Sequence, residues 1–156
     1  MIRIDKALID RLSSEAKASA RLRKNYNFHK YSGDPLQRLL NAMEPGSYIR
    51  PHKHEDPDKR EIFFVLRGRA AVVEFDENGK ITDHVILDPL NGNWGTEVAE
   101  RTWHMVIPLD LDTMTYEVKD GPYDPADDKN FASWAPAEGD PGAAVYLQEV
   151  LRRIGI

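Results

Sequence analysis

The sequence predicts a mainly β protein: one antiparallel β-barrel of jelly-roll type, with an α-helix at each end of the chain. Between residues 36 and 118, short β-rich runs alternate with turns of Gly, Pro and Asn, a pattern typical of an all-β sandwich or barrel. Apolar residues recur at helical spacing only near the two ends of the chain. With 156 residues, the chain is long enough to form one domain with a sizeable core.

Residues 1–30 are predicted to form a basic arm that begins with a helix. Asp5 is a typical N-cap, and the apolar residues Leu8, Leu12 and Ala16 then recur four positions apart. The arm holds eight basic and three acidic residues, whereas the rest of the chain holds thirteen basic and twenty-three acidic ones. This imbalance favours contact with an acidic body or partner subunit over nucleic-acid binding, because no nucleic-acid motif accompanies the arm.

The barrel is predicted over residues 36–118. Residues 36–43 are interpreted as a strand because Glu44-Pro45-Gly46 ends the run after eight residues, and alternation places Gln37 and Asn41 on one face. A hairpin turn is expected at Asp76-Glu77-Asn78-Gly79. The other strands are predicted at 47–54, 61–67, 69–75, 81–87, 95–98, 103–107 and 113–118.

Residues 121–141 form an irregular segment that contains four of the ten prolines. A connection of this length in a compact domain tends to be functional or disordered, and its aromatic residues favour anchoring to the barrel: Tyr123, Phe131 and Trp134. A helix is predicted at 142–154, with Asp140 as N-cap and Pro141 at its first position. No domain boundary is evident, so residues 1–156 are expected to form a single domain.

The composition excludes several kinds of protein. The chain has no cysteine, which excludes disulfides, thiolate metal ligands and a cysteine nucleophile. The N-terminus lacks the apolar region of a signal peptide, and the longest apolar run, Ile62 to Leu66, is too short to span a bilayer. We therefore expect a cytoplasmic protein that binds neither membrane nor nucleic acid.

The residues most suggestive of chemistry are His52 and His54. In an extended strand, residues i and i+2 face the same way, about 7 Å apart, so the two imidazoles can converge on one metal ion. Glu61 opens the next strand and can supply a carboxylate, although Glu55, Asp56 and Asp58 are alternatives within the intervening turn: Glu55 is expected to face away, and the two aspartates belong to the turn. His104 is a candidate fourth ligand if its strand pairs near the His52 strand.

These residues resemble the first motif of the cupin superfamily. Gly46 precedes His52 by six positions, and six residues separate Glu61 from Gly68, as in that motif. The gap between His54 and Glu61 is longer than usual. In the second motif, Ala99 and Arg101 replace the usual Pro-x-Gly before the histidine.

A narrower resemblance is to the WbuC family of cupin-fold metalloproteins, found among bacterial O-antigen and surface-polysaccharide genes. It rests on five stretches of the chain: Pro35–Met43, Gly46–His54, Trp103-His104, Glu117–Tyr123 and Asp128–Gly139. The resemblance implies a cupin barrel and a bound metal, with His52, His54, Glu61 and His104 as ligands. It implies no particular reaction.

Three histidines and a glutamate suit one divalent ion, Zn, Fe, Mn or Ni, and ligand type alone does not choose among them. Polar residues on neighbouring strand positions are candidates for binding a small, polar, sugar-derived ligand: Gln37, Asn41, Tyr48 and Arg50. The sequence is thus consistent with a metal-dependent isomerase or epimerase acting on an anionic sugar in surface-polysaccharide (O-antigen) metabolism. The alternatives are a non-catalytic saccharide-binding protein with a structural metal and an Fe(II)-dependent dioxygenase. The charge imbalance of the arm favours a homodimer that exchanges N-terminal segments.

Overall fold

Two amphipathic segments form helices and ten runs form strands in the computed structural model, which describes residues 1–126 and 128–156. The helices are α1 (Lys6–Ala18) and α2 (Ala143–Arg153). The strands are β1 (Arg23–Asn27), β2 (Leu36–Met43), β3 (His52–Lys53), β4 (Glu61–Arg67), β5 (Ala70–Phe75), β6 (Ile81–Leu87), β7 (Gly95–Val98), β8 (Trp103–Pro108), β9 (Thr113–Asp120) and β10 (Asn130–Phe131).

The strands form two five-stranded antiparallel sheets. The first has the order β1-β2-β9-β4-β7 and the second the order β10-β3-β8-β5-β6. Their inner faces share one apolar cluster, in which Met43 and Phe63 of the first sheet pack with Val72 and Val106 of the second. The predicted mainly β, jelly-roll-like fold is therefore confirmed, although the two sheets pack face to face and do not close into a strict barrel.

Each helix covers the outer face of one sheet. Leu12 and Ala16 of α1 pack against Leu40 and Met114 of the first sheet, which removes one apolar stripe of the helix from water. The predicted N-cap is present, because the Asp5 carboxylate accepts a hydrogen bond from the Leu8 amide at 3.1 Å.

At the other end of the chain, Leu147 and Val150 of α2 pack against Val73 and Met105 of the second sheet. The prediction for the start of this helix was wrong, since Gly142 occupies the N-cap position. Asp140 instead accepts a hydrogen bond from the Gly142 amide at 2.7 Å, so its side chain closes the turn before the helix.

One strand was missed in the sequence, and another was predicted too long. Residues 23–27 form the edge strand β1, which lacks an apolar alternation because much of it faces solvent. The strand predicted at 47–54 is reduced to His52–Lys53. Residues 47–51 are not part of a sheet, and their backbone bonds elsewhere: the Tyr48 carbonyl accepts from Arg23, and Pro51 has no N–H to donate.

Candidate metal centre

The sheets bring the four predicted ligands together in the interior. His52 on β3 lies directly opposite His104 on β8 in the second sheet, while Glu61 begins β4 in the first sheet. His54 follows β3 immediately. One ligand atom from each of the four residues lies within 4.8 Å of all the others, and each residue is at most 2% exposed.

A backbone carbonyl holds each of the three imidazole rings in place. Nδ1 of His52 lies 3.0 Å from the Arg50 carbonyl, and Nδ1 of His104 lies 2.9 Å from the Thr102 carbonyl. Nδ1 of His54 contacts the carbonyl of Asp128. A carbonyl can only accept, so each Nδ1 carries the proton, and each neutral ring presents the lone pair of Nε2 to the centre of the group.

This arrangement requires a positive charge at its centre. Nε2 of His54 lies 3.0 Å from one Glu61 oxygen, and Nε2 of His104 lies 2.8 Å from the other. Lone pairs facing a carboxylate repel unless a proton or a cation lies between them. Nε2 of His52 and Nε2 of His54 are buried and have no hydrogen-bond partner in the part of the chain that the structure describes. A divalent ion bound by nitrogen and oxygen ligands satisfies all these atoms, so the residues fit the metal that the sequence predicted.

The protonation states agree with this assignment. Burial, followed by the charge of Lys129, holds the pKa of His52 well below its usual value, which favours the neutral ligand form. Burial alone raises the pKa of Glu61, but its close contacts with His104 and His54 outweigh burial and hold that pKa below its usual range. Glu61 is therefore ionised, as a metal-binding carboxylate must be.

The long turn before β4 contributes no further ligand among the described atoms. Glu55 pairs with Lys53 at 3.0 Å, and Arg101 holds Asp56 at 3.1 Å and Asp58 at 2.9 Å, all outside the group. Of the carboxylates that the sequence left open, Glu61 is the one that lies with the three histidines.

A buried charge network supports the group from behind. The carboxylate of Asp128 pairs with Lys59 at 2.8 Å and with Lys119 at 2.7 Å, and Lys119 lies 3.6 Å from Glu61. Since the carbonyl of Asp128 also holds His54, one residue links the irregular segment 121–141 to a metal ligand. This second layer of contacts orients the ligands.

The group opens onto a cavity of about 690 Å³, which His52 and Glu61 help to line. Three of the predicted ligand-binding residues, Gln37, Asn41 and Arg50, also line it. Their polar atoms are partly engaged already. The Gln37 amide donates to two backbone carbonyls, and the Arg50 guanidinium donates to the carbonyl of Ala132 at 2.6 and 3.0 Å.

Tyr48 lies apart from the cavity. Its ring packs in the core beneath α2, and its hydroxyl donates to the Pro136 carbonyl at 2.9 Å. This placement corrects the expectation that Tyr48 shares a face with His52. Strand alternation does not apply there, because residues 47–51 are not in a strand.

Sequence reasoning assigned no role to the other charged residues at the cavity. Glu117 and Lys119 alternate on β9 and therefore share the inner face of the first sheet, and Lys129 follows Asp128. Burial and the charge of Glu61 raise the pKa of Glu117, whereas burial lowers the pKa of Lys129. The sequence did contain a signal for these residues: a Glu-x-Lys pair within a predicted strand. Charged residues two positions apart share one face of a strand, and on an inner face they need a partner or a ligand.

The N-terminal arm forms the far wall of the cavity. Arg21, Arg23 and His29 line its mouth, and both arginines pair with Glu138 at 2.5 Å. Nδ1 of His29 lies 3.2 Å from the amide of Arg38. The basic arm predicted from the sequence thus contacts the body of its own chain.

The fold is similar to that of solved proteins of the cupin type. It is similar to a cupin 2 domain-containing protein from Halorhodospira halophila, with 18% identity and a TM-score of 0.51 over 86% of this chain and 83% of that one. It is similar to the L-ribose isomerase of Cellulomonas parahominis, with 14% identity and a TM-score of 0.56 over 71% and 69% of the two chains. A third likeness is to the capsular polysaccharide assembling protein CapF of Staphylococcus aureus, with 23% identity and a TM-score of 0.57 over 69% of this chain but 28% of that one. At these identities the comparisons show the fold alone.

Residues 4–87 match the family described as domain of unknown function DUF6016. Because the match covers more than half of the chain, the chain belongs to that family. No curated protein matches the sequence. The finer resemblance to the WbuC family stays a prediction. None of the helices within residues 1–126 and 128–156 has both the length and the apolarity needed to cross a bilayer.

Proposed function

We propose that the protein is a metal-dependent enzyme that isomerises or epimerises a small anionic sugar. His52, His54, Glu61 and His104 hold one divalent ion, and the substrate occupies the adjoining cavity. The ion would supply a Lewis acid that polarises a carbonyl or hydroxyl oxygen of the substrate. The likeness to CapF and the resemblance to the WbuC family support a place in bacterial surface-polysaccharide metabolism.

One observation carries this proposal: buried imidazole nitrogens without partners converge on a carboxylate at the wall of a large cavity. A purely structural metal site is usually closed by its four protein ligands. Here the ligand residues His52 and Glu61 themselves line open space. The volume of that space is typical of a small-molecule site, not of a packing defect.

The charge of the cavity supports an anionic substrate. Among the described residues that line it, six carry Lys or Arg side chains and four carry Asp or Glu, although the whole chain has a net charge of −5. A bound divalent ion adds further positive charge. Lys129 has no ion pair among residues 1–126 and 128–156, so its ammonium group is free for a carboxylate or phosphate of the substrate. Arg50, Gln37 and Asn41 complete the proposed ligand-binding set.

The first test is metal content. The protein is purified without nickel chromatography and analysed by plasma mass spectrometry as wild type, His52→Ala, Glu61→Gln and Glu55→Gln. We expect about one ion per chain in the wild type and in Glu55→Gln, and strongly reduced content in the other two variants. Full occupancy in His52→Ala/His54→Ala would place the metal elsewhere.

The second test is ligand binding. Calorimetry compares glucuronate, galacturonate and ribose 5-phosphate with the neutral sugar glucose, using wild type, Lys129→Gln and, as a control on the exposed hairpin turn, Lys80→Gln. We expect an anionic sugar to bind the wild type and Lys80→Gln, and to bind Lys129→Gln at least about tenfold more weakly, since a charge-assisted hydrogen bond contributes about 1.5–3 kcal/mol. Metal at full content without binding of any sugar would favour the alternative of a structural metal.

A further inference from the structure

A carboxyl group beside the candidate metal centre forms no ion pair with any residue of 1–126 or 128–156. Glu117 lies on β9, directly opposite Phe63 of β4 and Leu39 of β2, and all three line the cavity. Two residues further along β9, Lys119 lies opposite Glu61. Residues i and i+2 of a strand lie on the same face about 7 Å apart, so Glu117 faces the cavity two residues along the strand from the position opposite Glu61.

The side chain of Glu117 is held by one of its two oxygens. Nδ2 of Asn41 donates to Oε2 of Glu117 at 2.6 Å. Oε1 accepts no hydrogen bond from residues 1–126 or 128–156, and the side chain is only half-buried because it faces the cavity. One oxygen is thus fixed and the other is free to meet a ligand.

Glu117 differs from two other acidic residues that line the cavity, Glu61 and Asp128. Glu61 belongs to the metal group, and Asp128 is paired with Lys59 and Lys119. No ion pair involves Glu117 within the described part of the chain. The charges of Lys119 and Lys129 act on Glu117 without direct contact. A partly buried carboxyl group that is oriented by an amide but not closed by an ion pair costs free energy unless it serves a ligand.

We infer that Glu117 is the group that transfers a proton between two carbon atoms of the substrate. This inference rests on the proposed function. The free Oε1 removes the proton from the carbon next to the substrate carbonyl: the C–H bond breaks, an O–H bond forms on Glu117, and the electron pair moves onto the carbonyl oxygen to give an enediolate. The hydroxyl proton of that carbon passes to the former carbonyl oxygen, and Glu117 returns its own proton to the former carbonyl carbon as the new C=O bond forms on the first carbon. Every proton and electron pair stays within Glu117 and the substrate, so that no redox partner is needed.

The surroundings of Glu117 suit that role. Lys129 and Arg50 line the same cavity and provide positive charge for the oxygen on which negative charge develops. Asn41 prevents rotation of the carboxyl group, so that Oε1 keeps its direction. Asn41 therefore acts as a positioning residue.

The test measures deuterium incorporation from D2O next to the carbonyl of glucuronate, galacturonate and ribose 5-phosphate, by NMR. It compares wild type with Glu117→Gln, which keeps an oxygen for Asn41, and with Glu97→Gln, a control on the exposed outer face of β7. All three are brought to the same metal content. We expect at least a 100-fold slower exchange in Glu117→Gln, as for loss of a general base, with unchanged metal content and KM, and wild-type exchange in Glu97→Gln. Wild-type exchange in Glu117→Gln would overturn the inference and leave the proposed function standing.

A second measurement applies if none of these sugars exchanges in the wild type. Calorimetry follows the binding of glycolohydroxamate, a planar analogue of the enediolate, to the same three metal-loaded proteins. At least tenfold weaker binding to Glu117→Gln alone would support the inference, since a hydrogen bond to a carboxylate would be lost. Equal affinity in all three would overturn it. Absence of binding to the wild type would overturn both the inference and the proposed function.

Discussion

Replacing Asp128 by Asn tests the link between the irregular segment and the metal centre. Asp128 is 3% exposed, and its single negative charge faces two buried ammonium groups. Burial alone raises the pKa of Asp128, but the charges and hydrogen bonds of Lys119 and Lys59 outweigh it and lower that pKa. The carboxylate is therefore ionised at neutral pH. Asparagine keeps the size of the side chain and removes only the charge.

The expected loss is large because one lysine has no other acid to pair with. Lys119 keeps Glu61 at 3.6 Å, whereas the remaining described partner of Lys59 is the carbonyl of Pro122. Leaving a buried charge without its partner costs about 3–5 kcal/mol. We expect the free energy of unfolding of Asp128→Asn to fall by about that amount. Loss of the two lysine ion pairs frees the backbone at residue 128, whose carbonyl orients His54, so we expect metal affinity to fall by about 10- to 100-fold.

Urea unfolding of the metal-free protein and a chelator-competition titration measure the two effects separately. The control is Asp110→Asn, since Asp110 forms an ion pair with Arg69 in which both side chains are more than one-third exposed. We expect a loss of about 0–1 kcal/mol there. The double variant Lys59→Met/Asp128→Asn should recover a large part of the stability, because it removes the unpaired charge. A loss below about 1 kcal/mol in Asp128→Asn would refute the reasoning, as would a double variant that is less stable than the single one.

Three other predictions concern pH, packing and assembly. The pKa of His52 is lower in the folded than in the unfolded protein, so the contribution of His52 to the free energy of unfolding is full above the unfolded pKa of about 6.5 and decreases as pH falls below it. Urea unfolding in the presence of chelator should therefore show lower stability at pH 5.5 than at pH 7.5. Equal stability at the two pH values would contradict this. Gly79→Ala should lower the free energy of unfolding by about 1–3 kcal/mol more than Gly139→Ala does. Both glycines have positive φ, but only at Gly79 would a Cβ lie 2.6 Å from the Trp134 ring. Equal losses in urea unfolding would show that this contact is unimportant. The homodimer predicted from the charge of the arm should sediment as a dimer at micromolar concentration, and a monomer would rule it out.

Much of the metal centre was predictable because its residues are close in sequence or follow strand alternation. His52 and His54 are two positions apart, and Glu61 opens a strongly β-branched and aromatic run, so local periodicity alone places them at strand positions. The choice between Glu61 and Glu55 was open in the sequence because the turn between them has an unusual length. In the structure Glu55 forms ion pairs with Lys53 and Arg101, and Glu61 lies with the three histidines, which no local pattern encodes.

The residues that were missed depend on contacts between distant parts of the chain. The carboxyl group of Glu117 is oriented by a hydrogen bond from Asn41, which is 76 positions away in the sequence. The edge strand β1 lacks an apolar alternation and forms through pairing with β2. Tyr48 was misplaced for a related reason: alternation was extended through residues that bond to Arg23 and lie outside the sheets. Periodicity describes the inside of an element, but not the side chains and backbone groups that meet between elements.

The metal centre lies where a bound ion would join the two sheets. Glu61 belongs to the first sheet, and His52 and His104 belong to the second. Without an ion, two buried nitrogens have no partner within residues 1–126 and 128–156 and lone pairs face a carboxylate, so the interface between the sheets carries an uncompensated cost at this point. Metal binding removes that cost and stabilises the fold by about 2.7 kcal/mol at a free concentration 100 times Kd. The same ligand residues that join the sheets also line the cavity. If the proposed function holds, the stability of the fold and its capacity to bind a substrate depend on the same ion.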